Sequence, residues 1–118
     1  MPCIRLETTE TLTKEQQESL CAQLSKLCAE TIGKSENYQM AIVRDGVTIF
    51  RAGKPGPAAF IEVRSIGGLT AEVNHELSEK LCSLLQKTLN INGERVSIIM
   101  MNIEGKNWGH NSTTYAGC

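Results

Sequence analysis

Four short stretches of the chain hold residue types that can do chemistry. The first is the start, "MPCIRLETT", where Pro2 stands behind the initiator methionine. Aminopeptidase processing ordinarily removes Met before so small a residue, which would leave Pro2 as a free secondary amine at the head of a strand-like alternation. An α-amino group titrates near pH ~8, and burial or a neighbouring cation disfavours its protonated form and lowers that value. A base poised near the working pH is what proton abstraction beside a carbonyl requires. The plainer reading of Pro2 is a harmless edge residue.

The second stretch, "TIGKSENY", places Lys34 just beyond a helical pattern. It is either a complement to the helix macrodipole or a fixed cation for a substrate carboxylate. The third, "RSIGGL" (Arg64 to Leu69), sets two glycines between a strand pattern and a helix start. Backbone N–H groups at such a turn can bind an anion or an oxyanion, although an ordinary strand-to-helix turn has the same composition, and the G-x-G-x-x-G dinucleotide pattern is absent. The fourth, "NWGHNSTTYAG", gathers Trp108, His110 and Tyr115 in a chain with only five Phe, Trp and Tyr residues. Such rings can wall an apolar pocket or pack a C-terminal ribbon at a subunit contact.

The elements that must position these groups follow from the hydrophobic pattern. Between Thr13 and Ile32, Leu20, Leu24, Leu27, Cys28 and Ile32 fall on one helical stripe; Thr13 and Gln16 form a capping box and Gly33 offers the stop. Shifting the sequence by 57 positions lays Leu12 and Thr13 on Leu69 and Thr70, and Leu20, Leu24 and Leu27 on Leu77, Leu81 and Leu84. Ile4 and Leu6 land on Ile61 and Val63. This is an internal duplication, about 2–50 and 58–104 with a C-terminal ribbon over 105–118, and it predicts two β-α-β units in one domain. "VRDGVTIF" reads as a strand, a turn at Asp45-Gly46 and another short strand, and "AGKPGP" as a turn-rich connection.

The expected fold is therefore an α+β two-layer sandwich: a four-stranded mixed sheet with two helices on one face. On the first strand Ile4 and Leu6 oppose Arg5 and Glu7, and in "AFIEVRS" Ile61 and Val63 oppose Glu62 and Arg64, so the uncovered face is charged at its centre. "VSIIMMNI" is apolar on both faces, and Ile99 and Met101 need a cover that the helices cannot supply. A homo-oligomer is the expected cover.

Composition excludes other classes. With 12 basic and 13 acidic residues there is no electrostatic footprint for nucleic acid or a membrane surface. The five cysteines make no C-x-x-C pair and are odd in number, so neither a metal site nor a full disulfide set is expected; they read as small core residues and a loose C-terminal thiol. No apolar signal core precedes the domain, which points to a cytoplasmic home, and "NST" at Asn111 reads as a polar turn.

Taken together, "MP", "GK" followed by "Y", "PAAFIEVRSIGGL" and "NWGHNSTTYAG" resemble the macrophage migration inhibitory factor family of the tautomerase superfamily, from Met1 to about Tyr115. The resemblance implies a homotrimer whose sheets surround a solvent channel. It implies cofactor-free keto–enol tautomerisation of phenylpyruvate- or dopachrome-like carboxylates, with Pro2 as the base, Lys34 on the substrate carboxylate and the Ile66 N–H on substrate oxygen. Cys3, Tyr38, Arg64, Ser65, Trp108, His110 and Tyr115 would fall at or around the pocket, with Ser97 and Ile99 supplied by the neighbouring subunit. Mammalian members usually carry an aromatic residue and an asparagine at these last two positions and an aromatic at that of His110, so the pocket wall is rebuilt and weaker or altered activity on aryl pyruvates is expected, with Trp108 as a partial replacement for the lost ring. The C-x-x-C of mammalian members is missing from "PAAFI", which disfavours thiol-oxidoreductase chemistry. Because family members leave cells without a signal peptide, the resemblance also implies a second role, as a secreted cytokine-like ligand for a host receptor, the invariant chain.

Overall fold

Two β-α-β units of matching size make up the protein. In the computed structural model, which describes residues 1–117, the first unit is β1 (Pro2–Thr8), α1 (Lys14–Ile32) and β2 (Met40–Arg44), and the second is β3 (Ala59–Ser65), α2 (Ala71–Leu89) and β4 (Val96–Asn102). β1 and β3 are 7 residues each and α1 and α2 are 19 each, so the sequence duplication is also a spatial one. The sheet order is β2-β1-β3-β4. β1 runs parallel to β2, β3 parallel to β4, and the two units meet where β1 and β3 pair antiparallel. A hairpin of β5 (Gly109–His110) and β6 (Thr113–Thr114) closes the chain.

Local chemistry sets the helix ends. Thr13 Oγ1 accepts from the Gln16 N–H at 3.1 Å while Gln16 Oε1 accepts from the Thr13 N–H at 2.9 Å, which satisfies two orphan donors of α1. Gly33 ends α1 in the left-handed conformation, φ 81°, where a side chain would be strained. Thr70 caps α2 with the single bond it accepts from the Val73 N–H at 3.2 Å, Val73 having no side-chain acceptor to return. Asn90 takes the left-handed position at the end of α2, where the repeat has no glycine.

The core lies between the sheet and the two helices. Ile4, Leu6, Ile61 and Val63 face Leu24, Leu77, Leu81 and Leu85, all fully buried. Each is worth about 1.5–3 kcal/mol in transferred apolar surface. Leu27, expected in the buried stripe, is only partly covered and packs at its margin.

Two expectations need correction. Residues 47–50 do not form a further strand of the sheet. The Gly46 and Val47 N–H groups bond to the Glu10 and Thr8 carbonyls at 2.9 and 3.0 Å, and beyond them the only bridge among the described residues of this segment joins Arg51 to Lys54; a strand needs a partner, and β2 already forms the sheet edge. The cysteines are also not uniformly core residues: Cys28 is buried, but Cys3, Cys21 and Cys82 are part-exposed, and Cys118 lies outside the described residues.

The open face of the sheet has the charged centre that alternation predicts. Ion pairs run from Arg44 to Glu7 (3.7 Å), Glu7 to Arg5 (3.0 Å), Arg5 to Glu62 (3.6 Å) and Glu62 to Arg64 (2.7 Å). Arg5 and Glu62 are direct cross-strand partners. Each part-exposed pair adds little stability by itself; their combined effect is to keep the face polar. At its rim Ile99, Met101 and Met40 are exposed.

Burial pushes the Cys28 thiol up to about 12, with the charge of Cys3 a lesser cause. The unfolded chain releases that proton near the ordinary value of 9.0, so it binds fewer protons than the folded chain at higher pH, and stability falls as pH rises from there toward the folded value. We predict that the urea midpoint of the wild type drops between pH 9 and 11 more steeply than that of Cys28→Ala; parallel pH profiles would show that the thiol makes no such contribution.

Candidate active site

The antiparallel pairing of β1 with β3 carries Pro2 to the sheet's end, opposite Ser65. Pro2 is buried there. One residue further out, the Ile66 N–H donates to the Met1 carbonyl at 3.2 Å. Through the 57-residue offset, the same bond recurs at the other end of the pair: the Thr9 N–H donates to the Ala58 carbonyl at 3.1 Å. The two bonds are the two ends of one ladder. The difference is that Ala58 is held within the chain, whereas the acceptor at the Pro2 end belongs to the first residue.

Lys34 arrives from α1. Gly33 turns the chain through its left-handed cap, and Lys34 Nζ then donates to the Ile66 carbonyl at 3.1 Å. The Ile66 backbone is thus held at both of its polar groups, the carbonyl accepting from a cation and the N–H donating to Met1. Room for Lys34 comes from Gly68. A Cβ on that residue would sit 3.4 Å from Lys34 Cε and 3.0 Å from Ile32 Cγ2. Gly67 and Gly68 have φ of 76° and 85°, so both also use the left-handed region that other residues avoid. In the first unit the corresponding residues are Glu10 and Thr11.

Tyr38, in the turn Glu36–Tyr38 that Ser35 caps, and Tyr115 complete the walls. Tyr115 follows the C-terminal hairpin; its N–H donates to the Trp108 carbonyl at 3.1 Å, and its ring stacks on His110 with centroids 5.9 Å apart. Gly105 allows this approach, since a Cβ there would overlap the Tyr115 carbonyl oxygen. The Tyr115 hydroxyl is buried with no hydrogen-bond partner among the described residues. The resulting open pocket, about 350 Å³, is lined by Met1, Lys34, Tyr38, Ile66 and Tyr115. A broader depression of about 650 Å³ lies along the same turn, against Asn102–Lys106. It shares Ile66 but contains neither Pro2 nor Lys34.

Of the residues singled out from sequence, Lys34, Tyr38, Ile66 and Tyr115 line the pocket and Pro2 adjoins it through Met1 and Ile66. Ser65 does not line it: it is fully buried and its hydroxyl donates to the Gly67 carbonyl at 2.7 Å, bracing the turn from behind. Arg64 lies on the open face in its ion pair with Glu62. Cys3 faces Arg64 across the strands, and burial raises its thiol pKa, against a smaller opposing effect of Arg64. Trp108 contributes its backbone and His110 backs Tyr115; neither lines the pocket. Ser97 and Ile99 stand in β4 opposite Phe60 and Glu62, outside the pocket of a single chain.

One residue escaped the sequence reading. Asn102, at the end of β4, accepts from the Leu69 N–H at 3.4 Å and donates to the Leu69 carbonyl at 3.1 Å. The repeat held the clue: the offset lays Asn102 on Asp45, which accepts from the Leu12 N–H at 2.7 Å.

A four-stranded mixed sheet under two helices, built from paired β-α-β units with Pro2 beside a pocket at the end of the sheet, is the two-layer α+β architecture of the tautomerase superfamily. The chain belongs to the macrophage migration inhibitory factor family, whose model matches residues 1–116. It is 35% identical over 91 residues to a macrophage migration inhibitory factor homolog of Trichuris trichiura, covering 77% of this chain and 80% of that one. It is 30% identical to the Trichinella spiralis homolog, over 98% of this chain and 100% of that one. The crystal structure of the homologue from Prochlorococcus marinus superposes with a TM-score of 0.90 at 30% identity, covering 96% and 98% of the two chains.

The glycine pair separates backbone strain from crowding. Gly67→Ala, whose Cβ meets no described atom within 4 Å, is expected to cost only the left-handed penalty of about 1–2 kcal/mol. Gly68→Ala should cost more, because Ile32 and Lys34 must also give way. Equal urea midpoints for the two variants would refute the contact.

Proposed function

We propose that the protein is a cofactor-free keto–enol tautomerase acting on small keto or enol carboxylates, with Pro2 as the general base. The observation that carries this reading is the hydrogen bond from the Ile66 N–H to the Met1 carbonyl. Removal of Met1 does two things at one place: it turns the Pro2 nitrogen into a secondary amine, and it takes from Ile66 the acceptor that holds its N–H. A base and a hydrogen-bond donor for oxygen then stand side by side, with the Lys34 ammonium on the same wall.

In the proposed reaction a substrate carboxylate pairs with Lys34 and the keto oxygen accepts from Ile66. The Pro2 amine takes a proton from the carbon between carbonyl and ring, and the electron pair of that C–H bond becomes the enolate double bond. The proton returns to oxygen, so nothing is consumed. Stabilising charge on oxygen as it develops is the larger share of catalysis in such sites. Tyr38 and Tyr115 give the pocket an aromatic wall, and the unpartnered Tyr115 hydroxyl suits a substrate with a further polar group.

The working form in this reading is a homotrimer. Exposed Ile99 and Met101 beside the charged centre of the open face favour burial against another copy, which would also bring the neighbour's Ser97 and Ile99 to the pocket. That wall lacks an aromatic ring and a side-chain amide, so turnover of aryl pyruvates should be weaker or altered.

A second reading, a secreted cytokine-like ligand for the invariant chain, draws support from the macrophage migration inhibitory factors that the chain resembles, such as the rat protein, 31% identical over 100 residues. Cytoplasmic residence followed by export without a signal peptide belongs to the same proposal.

The test of the enzyme is turnover of phenylpyruvate and dopachrome by protein whose N-terminus has been read by mass spectrometry. Processed wild type should outpace both Pro2→Gly and Met1-retaining protein by about 10²–10⁴-fold; equal rates would eliminate the proline mechanism. For the second reading, the processed protein should bind immobilised invariant-chain ectodomain, and a flat binding trace would count against it.

A further inference from the structure

We infer that Asn102 is a positioning residue for the proposed site, setting the Ile66 peptide and, through it, Lys34; the inference rests on the reading that Ile66 and Lys34 hold substrate. The turn from Ser65 to Leu69 joins β3 to α2 and has Ile66 near its start. It is fixed at both ends. Ser65 Oγ donates to the Gly67 carbonyl at 2.7 Å, and the Ser65 carbonyl accepts from the Ile103 N–H at 2.8 Å. At the far end the Asn102 side chain bonds both the N–H and the carbonyl of Leu69. The segment between these anchors contains two left-handed glycines and so has little stiffness of its own. What directs the Ile66 N–H and carbonyl is the anchoring.

The duplication shows why the residue is asparagine. At the equivalent turn of the first unit, Asp45 accepts from the Leu12 N–H at 2.7 Å but has no donor to offer the Leu12 carbonyl. There Gln17 supplies one: its Nε2 lies 3.5 Å from the Leu12 carbonyl and 2.9 Å from Asp45 Oδ1. In the second unit the residue at the Gln17 position is Asn74, one methylene shorter, with its Oδ1 buried and unpartnered among the described residues. Asn102 therefore does with one amide what Asp45 and Gln17 do together. A carboxylate at 102 would keep the bond to the Leu69 N–H and set a negative oxygen against the Leu69 carbonyl. The same brace supports an ordinary turn in the first unit and, in the second, the turn that Lys34 grips.

The experiment uses processed full-length protein and two readouts that need no turnover. One is the ¹H–¹⁵N signal of the Ile66 amide; the other is calorimetric affinity for 3-phenylpropanoate, an inert carboxylate without a keto group. Asn102→Ala and Asn102→Asp should both displace the Ile66 signal and weaken the acid by about tenfold at unchanged stoichiometry, since loss of one such bond is worth roughly that factor. Asn74→Gln combined with Asn102→Asp, which rebuilds the Asp45–Gln17 pair, should return the signal and restore affinity to within about twofold. An Ile66 signal unmoved in Asn102→Ala, or an Asn102→Asp defect that Asn74→Gln leaves in place, would overturn the inference. Because neither readout depends on catalysis, a wild type that fails the dopachrome assay while the Ile66 signal follows Asn102 would sink the enzyme reading and leave the brace standing.

Discussion

The antiparallel ladder between β1 and β3 is the interaction on which the rest of the structure depends. It joins the two β-α-β units, aligns Arg5 with Glu62 on one face and Ile4 and Leu6 with Val63 and Ile61 on the other, and ends at both extremities in a backbone bond from the residue just past a strand. Because the units are related by duplication, the two ends begin as equivalent positions. One of them coincides with the start of the chain. In the proposed reading that end loses its acceptor when Met1 is removed, and this asymmetry is what would set it apart from its counterpart.

Further differences between the units lie at that same end. Glu10 and Thr11 give way to Gly67 and Gly68, which frees the space that Lys34 crosses. The pairing of Asp45 with Gln17 gives way to a single asparagine. Ser65, at the position of Thr8, turns its hydroxyl inward to the Gly67 carbonyl, whereas Thr8 donates to Ala58. The core does not share in this divergence: the central leucines of α1 and α2 remain buried in both halves. Packing constrains both copies alike, while turn chemistry was free to differ where a pocket formed.

The open face shows a different constraint. Its centre alternates in charge from Arg44 to Arg64, so it needs no apolar cover, while its margin exposes Met40, Ile99 and Met101. A surface with a polar centre and apolar edges suits contact along the edges with water retained between, which is consistent with the proposed ring of three.

The sequence by itself determined the two units, the inward and outward faces of β1 and β3, the caps at Thr13 and Gly33, and the charged character of the open face. All of these follow from short-range periodicity and backbone conformation, which are local properties. It also marked Pro2, Lys34, Tyr38, Ile66 and Tyr115 through a family resemblance, but it could not separate the pocket's walls from their supports. Ser65, Trp108 and His110 are close to the pocket in sequence motif and stand behind it in space. Asn102 drew no notice within the apolar run "VSIIMMNI", although its counterpart Asp45 lay at the same repeat offset. Only the tertiary structure decided these roles, because they depend on which backbone group a short side chain meets from another strand or turn. Strand register and the left-handed glycine turn set those distances to within a fraction of an ångström, and neither can be read from residue type alone.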